Sequence, residues 1–416
     1  MYAEKFLPQV ISWRREIHSH PELSQHEEKT AGLVANVLEG LGIEVRKNVG
    51  GYGVVGLLRG KGAGESLPLS ASRVPPNLGG IIGGQDGNKP GKTVGLRADM
   101  DALPLNEETG LPYASQIPGV MHACGHDTHT AMLLGAACVL SGMRDKIRGN
   151  VKFIFQPSEE LNPTGGAPGM IRDGVLDSPN VDGIFSLHVW PVYGTGKIAV
   201  RSGTCMAASD RVYITVHGRT AHGSRPDQGN DAIVAAAHVI TGLQAVISRS
   251  VSPLDSAVLT IGTIHGGYRY NVIPDNVKLE GTVRTLNPSV QSRMPELITR
   301  TAKGIAEGLG CSCDVEYVKG YPPLVNDSDM AGIAASAVRK IYPESVIIAD
   351  EPDLAAEDFA FFARERPAFM AWLGCTPAGV KISDAPKLHS TKFSPDENCF
   401  AYGIDYFVQS ALDFLS

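Results

Sequence analysis

Three runs of this 416-residue chain, TVGLRADM (93–100), VKFIFQ (151–156) and GIFSLHVW (183–190), are apolar at almost every position. A strand of that kind must be covered on both faces, which is the pattern of a parallel sheet packed between helices. Helical periodicity fills about 128–143, between the first two runs. Upstream, residues 4–41 read as two helices flanking His18-Ser-His20-Pro21-Glu22, followed by the strand-like segments EVRKNV and VVGLLRG. Strand and helix alternate, so the expected fold class is α/β with a mainly parallel sheet. Ligands in such sheets sit at the carboxyl ends of the strands. Residues 61–93 are rich in Gly, Pro and Ser, lack periodicity, and read as a long loop or hairpin insertion.

A second rhythm occupies 210–324. DRVYITVHG alternates as a strand, DAIVAAAHVITGLQAVISRSV has helical spacing, AVLTIGTIHGG and NVKLEGTVRT pair as strands, 289–309 is a helix, and CDVEYVKG is a last strand. The order β-α-β-β-α-β is the split βαβ unit of a ferredoxin-like α+β domain. The expected organisation is one domain from 1–205 and 325–416, with 206–324 inserted into it. A cleft between two such bodies is a natural place for a substrate.

Bulk properties exclude several classes of function. The chain is 43% hydrophobic and 19% charged, with 37 basic against 44 acidic residues and no basic run. That argues against a nucleic-acid groove or a membrane-binding basic patch. No apolar stretch is expected to reach the roughly 18 to 20 residues of a membrane span. The N-terminus turns charged too soon for a secretory signal. Seven cysteines without a repeated spacing suggest reduced thiols in a cytoplasm. Cys311 and Cys313 read as residues on opposite faces of a strand.

Within HACGHDTHT (122–130), Cys124 and His126 stand two apart, beside His122, Asp127 and His129. Thiolate, imidazole and carboxylate together are the donors of a transition-metal site. A structural zinc site would offer a second close Cys/His pair, and none follows. The remaining donors must come from distant sequence, as in catalytic centres. Candidates are Glu159 or Glu160 after VKFIFQPS, His188 in GIFSLHVW, and His389 in KLHSTKF. Adjacent glutamates at a strand end can divide the work, one binding metal and the other holding a water's proton. His129 reads as a packing or supporting residue, His122 as a loop-orienting one, and His18 and His20 as capping or surface residues. His238 reads as structural.

The motifs GLRADMDALP (95–104), HACGHDTHTA (122–131), FQPSEE (155–160), SLHVWP (186–191), AHGSRPDQG (221–229), NVIPD (271–275), EGTVRT (280–285), AAEDFAFF (355–362) and LHSTKFSPDE (388–397) follow in one order. Together they resemble the metallopeptidase-type amidohydrolases that include aminoacylases, hippurate hydrolases and auxin-conjugate hydrolases. The likeness covers nearly the whole chain. The 61–93 insertion departs from it, since this junction is normally short in the family.

The resemblance implies two divalent metal ions per subunit, Zn or Mn, with Co or Ni also suited to such donors. Cys124 would bridge them; Glu160 and His389 would complete one shell, His126 and His188 the other. Glu159 would be the general base and Asp101 a supporting acid. His222, on the inserted lid and dimerisation domain, would stabilise the oxyanion, usually in the partner subunit's site. Asn271 and Arg284 would hold the substrate's carbonyl and carboxylate, and Glu357 would lie near the metals. The implied reaction is hydrolysis of the amide of a small N-acyl amino acid by a cytoplasmic homodimer, with a dipeptidase or carboxypeptidase as the alternative.

Overall fold

A computed structural model describes residues 1–61 and 91–416. The insertion read from the sequence at 61–93 lies largely outside the described residues. Eight strands form one twisted sheet in the order Glu44–Arg46, Val54–Arg59, Asn150–Gln156, Thr93–Asp99, Gly183–Gly194, Ala368–Thr376, Ile198–Val200 and Val346–Ile348. The four middle strands run parallel to one another. Antiparallel pairing joins Val54–Arg59 to Asn150–Gln156 and to Glu44–Arg46, and Ile198–Val200 to Ala368–Thr376. The sheet is therefore mixed, and the parallel reading holds at its centre. The apolar runs that suggested it are strands buried on both faces; the flank Val54–Arg59 is equally buried yet pairs antiparallel, a direction that burial alone does not report.

Alternation along the middle strands separates two cores. Phe153 and Phe155 enter one layer and Ile154 the other. The first layer is covered by helices Leu7–Ser19, Glu28–Gly40, His126–Ser141, Ser328–Ile341 and Phe400–Phe414, the second by the short helices Ala167–Arg172 and Phe359–Glu365. His126–Ser141 is buried along nearly its whole length. Its small residues permit this: a Cβ on Gly135 would stand 2.8 Å from side-chain carbons of both Ile404 and Val10. Burial of this kind fixes the helix N-terminus, which carries the metal motif, to about the precision of a close-packed core.

The second body is a four-stranded antiparallel sheet ordered Ala257–Gly266, Asn276–Thr285, Asp210–His217 and Ser312–Val318. Val212, Ile214 and Val216 face helices Ala232–Ala245 and Pro288–Gly308 and form a third core, while Arg211 and Tyr213 point to the opposite side. Asp231 and Asn287 cap those helices by accepting N–H groups of Ile233, Val234 and Ser289. This is the β-α-β-β-α-β order read from the sequence.

Two sequence readings are corrected here. Cys311 and Cys313 are both buried in this same core, because residues two apart near a strand share a face. The helical stretch Ala232–Ser250 does reach the length and apolarity of a membrane span, with 19 residues and mean hydropathy 1.4. It nevertheless packs Ala235, Ala236, Val239 and Leu243 against the four-stranded sheet.

Phe153 is fully buried at the middle of the main sheet. Phe153→Ala is expected to lower the unfolding free energy by about 3–5 kcal/mol, read from the denaturant midpoint at unchanged slope. A loss below about 1 kcal/mol would contradict the packing described.

Candidate metal centre

Four segments meet at the carboxyl ends of the parallel strands. Thr93–Asp99 runs out into Asp99 and Asp101, and Asn150–Gln156 into Ser158, Glu159 and Glu160. Gly183–Gly194 carries His188 on its buried length. The fourth segment is the turn before helix His126–Ser141, where Gly125 adopts φ +89°. A Cβ there would lie 2.5 Å from a Val189 methyl, so only glycine lets Cys124 and His126 approach the neighbouring strand. His389 arrives from near the other end of the chain, itself at φ +62°, and its N–H donates to Ala123 carbonyl at 2.9 Å.

The donor atoms of Cys124, His126 and His188 lie within 4.8 Å of one another, and so do those of Cys124, Glu160 and His389. Cys124 belongs to both groups. Its Sγ is 3.4 Å from His188 Nε2, and Glu160 Oε1 is 3.2 Å from His389 Nε2. The ring orientations are set from behind. His126 Nδ1 donates to Asp101 Oδ1 at 3.2 Å, and His188 Nδ1 donates to Val189 carbonyl at 2.8 Å. Each Nε2 therefore presents its lone pair to the cluster, the arrangement of metal-bound imidazoles. His126 Nε2 and Glu160 Oε1 are buried without a hydrogen-bond partner. Convergent orphaned lone pairs fit a divalent cation.

Electrostatics lead to the same conclusion. Asp99, Asp101, Glu159, Glu357 and Asp358 are buried around the cluster. The buried cation nearest them is Arg97, which donates to Asp99 (2.8 Å), Glu357 (2.9 Å), Asp358 (3.0 Å) and Gln156 (2.9 Å). Burial, then Glu357 and Glu160, push the Glu159 carboxyl well above its usual range. Burial and the charges of Glu160 and Glu159 do the same to the Cys124 thiol. Such a site favours cations, which would restore both groups to their anionic forms. His126 shows the same field: although burial opposes its charged form, Asp99 and Asp101 raise it to about 10.

Asp101 organises the acid pair. Its Oδ1 accepts the Glu159 N–H at 3.0 Å and its Oδ2 the Glu160 N–H at 2.9 Å, while Ser24 donates to it at 2.6 Å. One carboxylate thus holds the His126 imidazole and both glutamates in register. The Glu159 side chain lies against Glu357 and Asp358 and accepts the Asp358 N–H at 3.3 Å.

His129 is no donor to a metal, since both ring nitrogens are engaged: Nδ1 with Asp99 at 2.6 Å, Nε2 with the Val189 N–H at 2.9 Å. His18 departs from its capping or surface reading. It is fully buried, bonded to Asp127 at 2.7 Å and Glu107 at 3.2 Å, because its helix turns that face onto His126–Ser141. His122 is buried beside it, the rings 6.3 Å apart, and burial holds its imidazole neutral, down to about 4.

A cavity of about 760 Å³ opens over the cluster. Its floor is Cys124, Glu159, Glu160, His188 and His389; its roof is Arg211, Tyr213, Glu280, Thr282 and Arg284 from the four-stranded sheet. Trp190, Met206 and Leu388 give it an apolar side. Arg284 thus lines the cavity. His222 and Asn271 meet on the small Ala221–His222/Val272–Ile273 ladder, where His222 is exposed and bonded to Ser224; neither lines this chain's cavity, and the site expected for His222 is the partner subunit's. Sequence reading missed Arg97 and Tyr321. An arginine inside an otherwise apolar strand was a legible signal for the first, since buried charge demands partners. Tyr321, whose hydroxyl donates to the Glu159 carbonyl at 2.5 Å, carried no local signal.

Fold and site together define a metal-binding hydrolase on a mixed α/β sheet. Over residues 95–413 the chain matches Peptidase family M20/M25/M40, and it belongs to that family. An N-acyl-L-amino acid amidohydrolase of Geobacillus stearothermophilus is 42% identical over 335 residues, 80% of this chain and 82% of the relative. Thermostable carboxypeptidase 1 of Saccharolobus solfataricus is 38% identical over 95% of this chain and 92% of its own. A crystal structure of a dinuclear metal-binding M20 peptidase from Bacillus subtilis superposes with TM-score 0.80 at 32% identity, covering 99% of each chain.

Arg97→Met leaves three buried carboxylates without their common cation and is expected to cost about 3–5 kcal/mol of stability. Burial, against the opposing pull of Arg97, already raises Glu357 to about 7 and Asp358 to about 6. Removing Arg97 would raise both further, and carboxyls raised in the folded state lose their penalty once protonated, so the deficit should narrow as pH falls toward those values. Thermal unfolding against pH measures it; a pH-independent deficit would argue against the assigned charges.

Proposed function

We propose that this protein hydrolyses the amide bond of N-acyl amino acids, releasing a carboxylic acid and a free amino acid. One observation carries the reading: two donor groups share Cys124 beside the buried Glu159, with Arg284 across the cavity. Cys124, His126 and His188 would hold one divalent ion, and Cys124, Glu160 and His389 a second. Zn or Mn suits these donors, and Co or Ni is compatible with them. When bound, the ions supply Lewis-acid polarisation and make water a nucleophile near neutral pH.

The protein's own groups do the rest. Glu159 takes the proton of the attacking water and returns it to the leaving amine, a carboxylate role suited to a site that raises its affinity for protons. Asp101 keeps Glu159 and His126 in register. Among the described residues the Arg284 guanidinium donates only to Thr282 and the Val283 carbonyl, which leaves donors for the substrate carboxylate.

The roles of His222 and Asn271 require a second copy. Among the described residues the edge strand Ala257–Gly266 leaves one side unpaired and exposes Val258 and Ile264, and the adjoining helix exposes Ile233 and Val234. Pairing through this face would form a homodimer in which the inserted body, 206–324, acts as lid and dimerisation domain and His222 donates to the oxyanion of the partner's site. The seven cysteines are all unpaired and buried, which supports a reducing, cytoplasmic setting. A carboxypeptidase or dipeptidase activity is the second reading, favoured by the Saccharolobus relative. Comparing N-acetyl and N-benzoyl amino acids with unblocked dipeptides separates the two.

Glu159→Gln is expected to abolish turnover at unchanged metal content, a loss of at least about 10²-fold; full activity would sink the mechanism. Cys124→Ser should weaken both metal positions together in elemental analysis of dialysed protein. Loss of one ion with the other retained would count against a shared thiolate.

A further inference from the structure

The chain crosses between the two bodies twice, at Ala207–Ala208–Ser209 and at Gly320–Tyr321–Pro322. These crossings are fastened to each other. Ser209 N–H donates to the Tyr321 carbonyl at 3.1 Å, and Tyr321 N–H to Ser209 Oγ at 3.2 Å. Gly320 packs so closely that a Cβ there would lie 1.9 Å from the Ser209 carbonyl oxygen. Both crossings also grip the segment that carries the acid pair. The Tyr321 hydroxyl donates to the Glu159 carbonyl at 2.5 Å, Asn162 Nδ2 donates to Ser209 Oγ, and Arg211 donates to the Asn162 carbonyl at 2.8 Å. Tyr321 is 2% exposed, and its ring stands edge-on to Phe361 at 5.9 Å. Phe361 lies three residues beyond Asp358, whose N–H meets the Glu159 side chain.

We propose that Tyr321 is a positioning residue that latches the hinge of the inserted body to the main chain of Glu159, so that a displacement of that body re-aims the general base. Glu159 is thereby held from three directions: its N–H by Asp101, its carboxylate by the Asp358 N–H, and its carbonyl by the hinge. The first two anchors belong to the body bearing the eight-stranded sheet. Only the third reports the position of the roof, which carries Arg284. Arg284 thus sits on the body whose hinge sets Glu159, so the placement of the roof and the aim of the base share one mechanical link. The inference rests on Glu159 being the proton acceptor.

Tyr321→Phe removes the hydroxyl and keeps the ring on Phe361. With the N-acyl amino acid that the wild-type protein turns over fastest, kcat should fall about 10- to 100-fold, the scale of a small misplacement of a reacting group. KM should stay within about twofold, because ground-state binding is untouched, and bound metal should equal that of the wild type. Amide hydrogen exchange should quicken in peptides covering 158–163 and stay unchanged in the strand Asn150–Gln156. Ser209→Ala, which loosens the same clamp elsewhere, should act in the same direction, and the double variant should lose less than the product of the two single losses. An unchanged kcat, a loss carried by KM, unaltered exchange at 158–163, or multiplicative losses would each overturn the latch. Retained turnover in Glu159→Gln would instead overturn the reading it rests on, while the exchange measurement still tests the hinge contact directly.

Discussion

Buried negative charge is the constraint around which this molecule is organised. Asp99, Asp101, Glu159, Glu357 and Asp358 are withdrawn from water at the ends of the central strands, where an isolated carboxylate costs several kcal/mol. Arg97 answers for Asp99, Glu357 and Asp358, and His126 faces Asp99 and Asp101. What Arg97 leaves uncompensated lies beside Cys124, Glu160 and His389, whose donor atoms converge within 4.8 Å of one another. The excess is thus localised rather than spread, and a divalent ion is the species that balances it.

Much of this was legible because local pattern and global fold agree. The strands TVGLRADM and VKFIFQ announce themselves because they are buried on both faces, and HACGHDTHT because so many donors crowd one turn. The flanks Glu44–Arg46 and Val54–Arg59 read as strands though not as antiparallel ones, while Ile198–Val200 and Val346–Ile348, three residues each, are too short for alternation to register. The pairing of Cys311 with Cys313 in one core was a matter of strand period misapplied. His18 looked like a helix-end residue because its partners, Asp127 and Glu107, are about ninety or more positions away, and no one-dimensional pattern reports such a contact. His222 and Asn271 were recognised by family resemblance, yet one chain brings neither to its own cavity.

The two bodies divide the labour by chemistry. The mixed sheet supplies the rigid donors, since close packing on both faces leaves its strand ends little freedom. The four-stranded sheet supplies the polar roof, Arg211, Tyr213, Glu280, Thr282 and Arg284, whose side chains alternate with those of its own core. Chemistry and recognition can therefore vary on separate scaffolds, joined through a hinge whose backbones touch.

His389 enters from the far side of the chain and docks on Ala123 in a left-handed backbone conformation. The two donor groups are thus closed by residues drawn from both sides of the inserted body. During synthesis, Cys124, His126, Glu160 and His188 emerge long before the donor that completes their set. A nascent chain therefore carries only a half-built centre. His389 stands shortly before the helix Phe400–Phe414, so neighbouring stretches of chain complete the donor set and cover the first core layer.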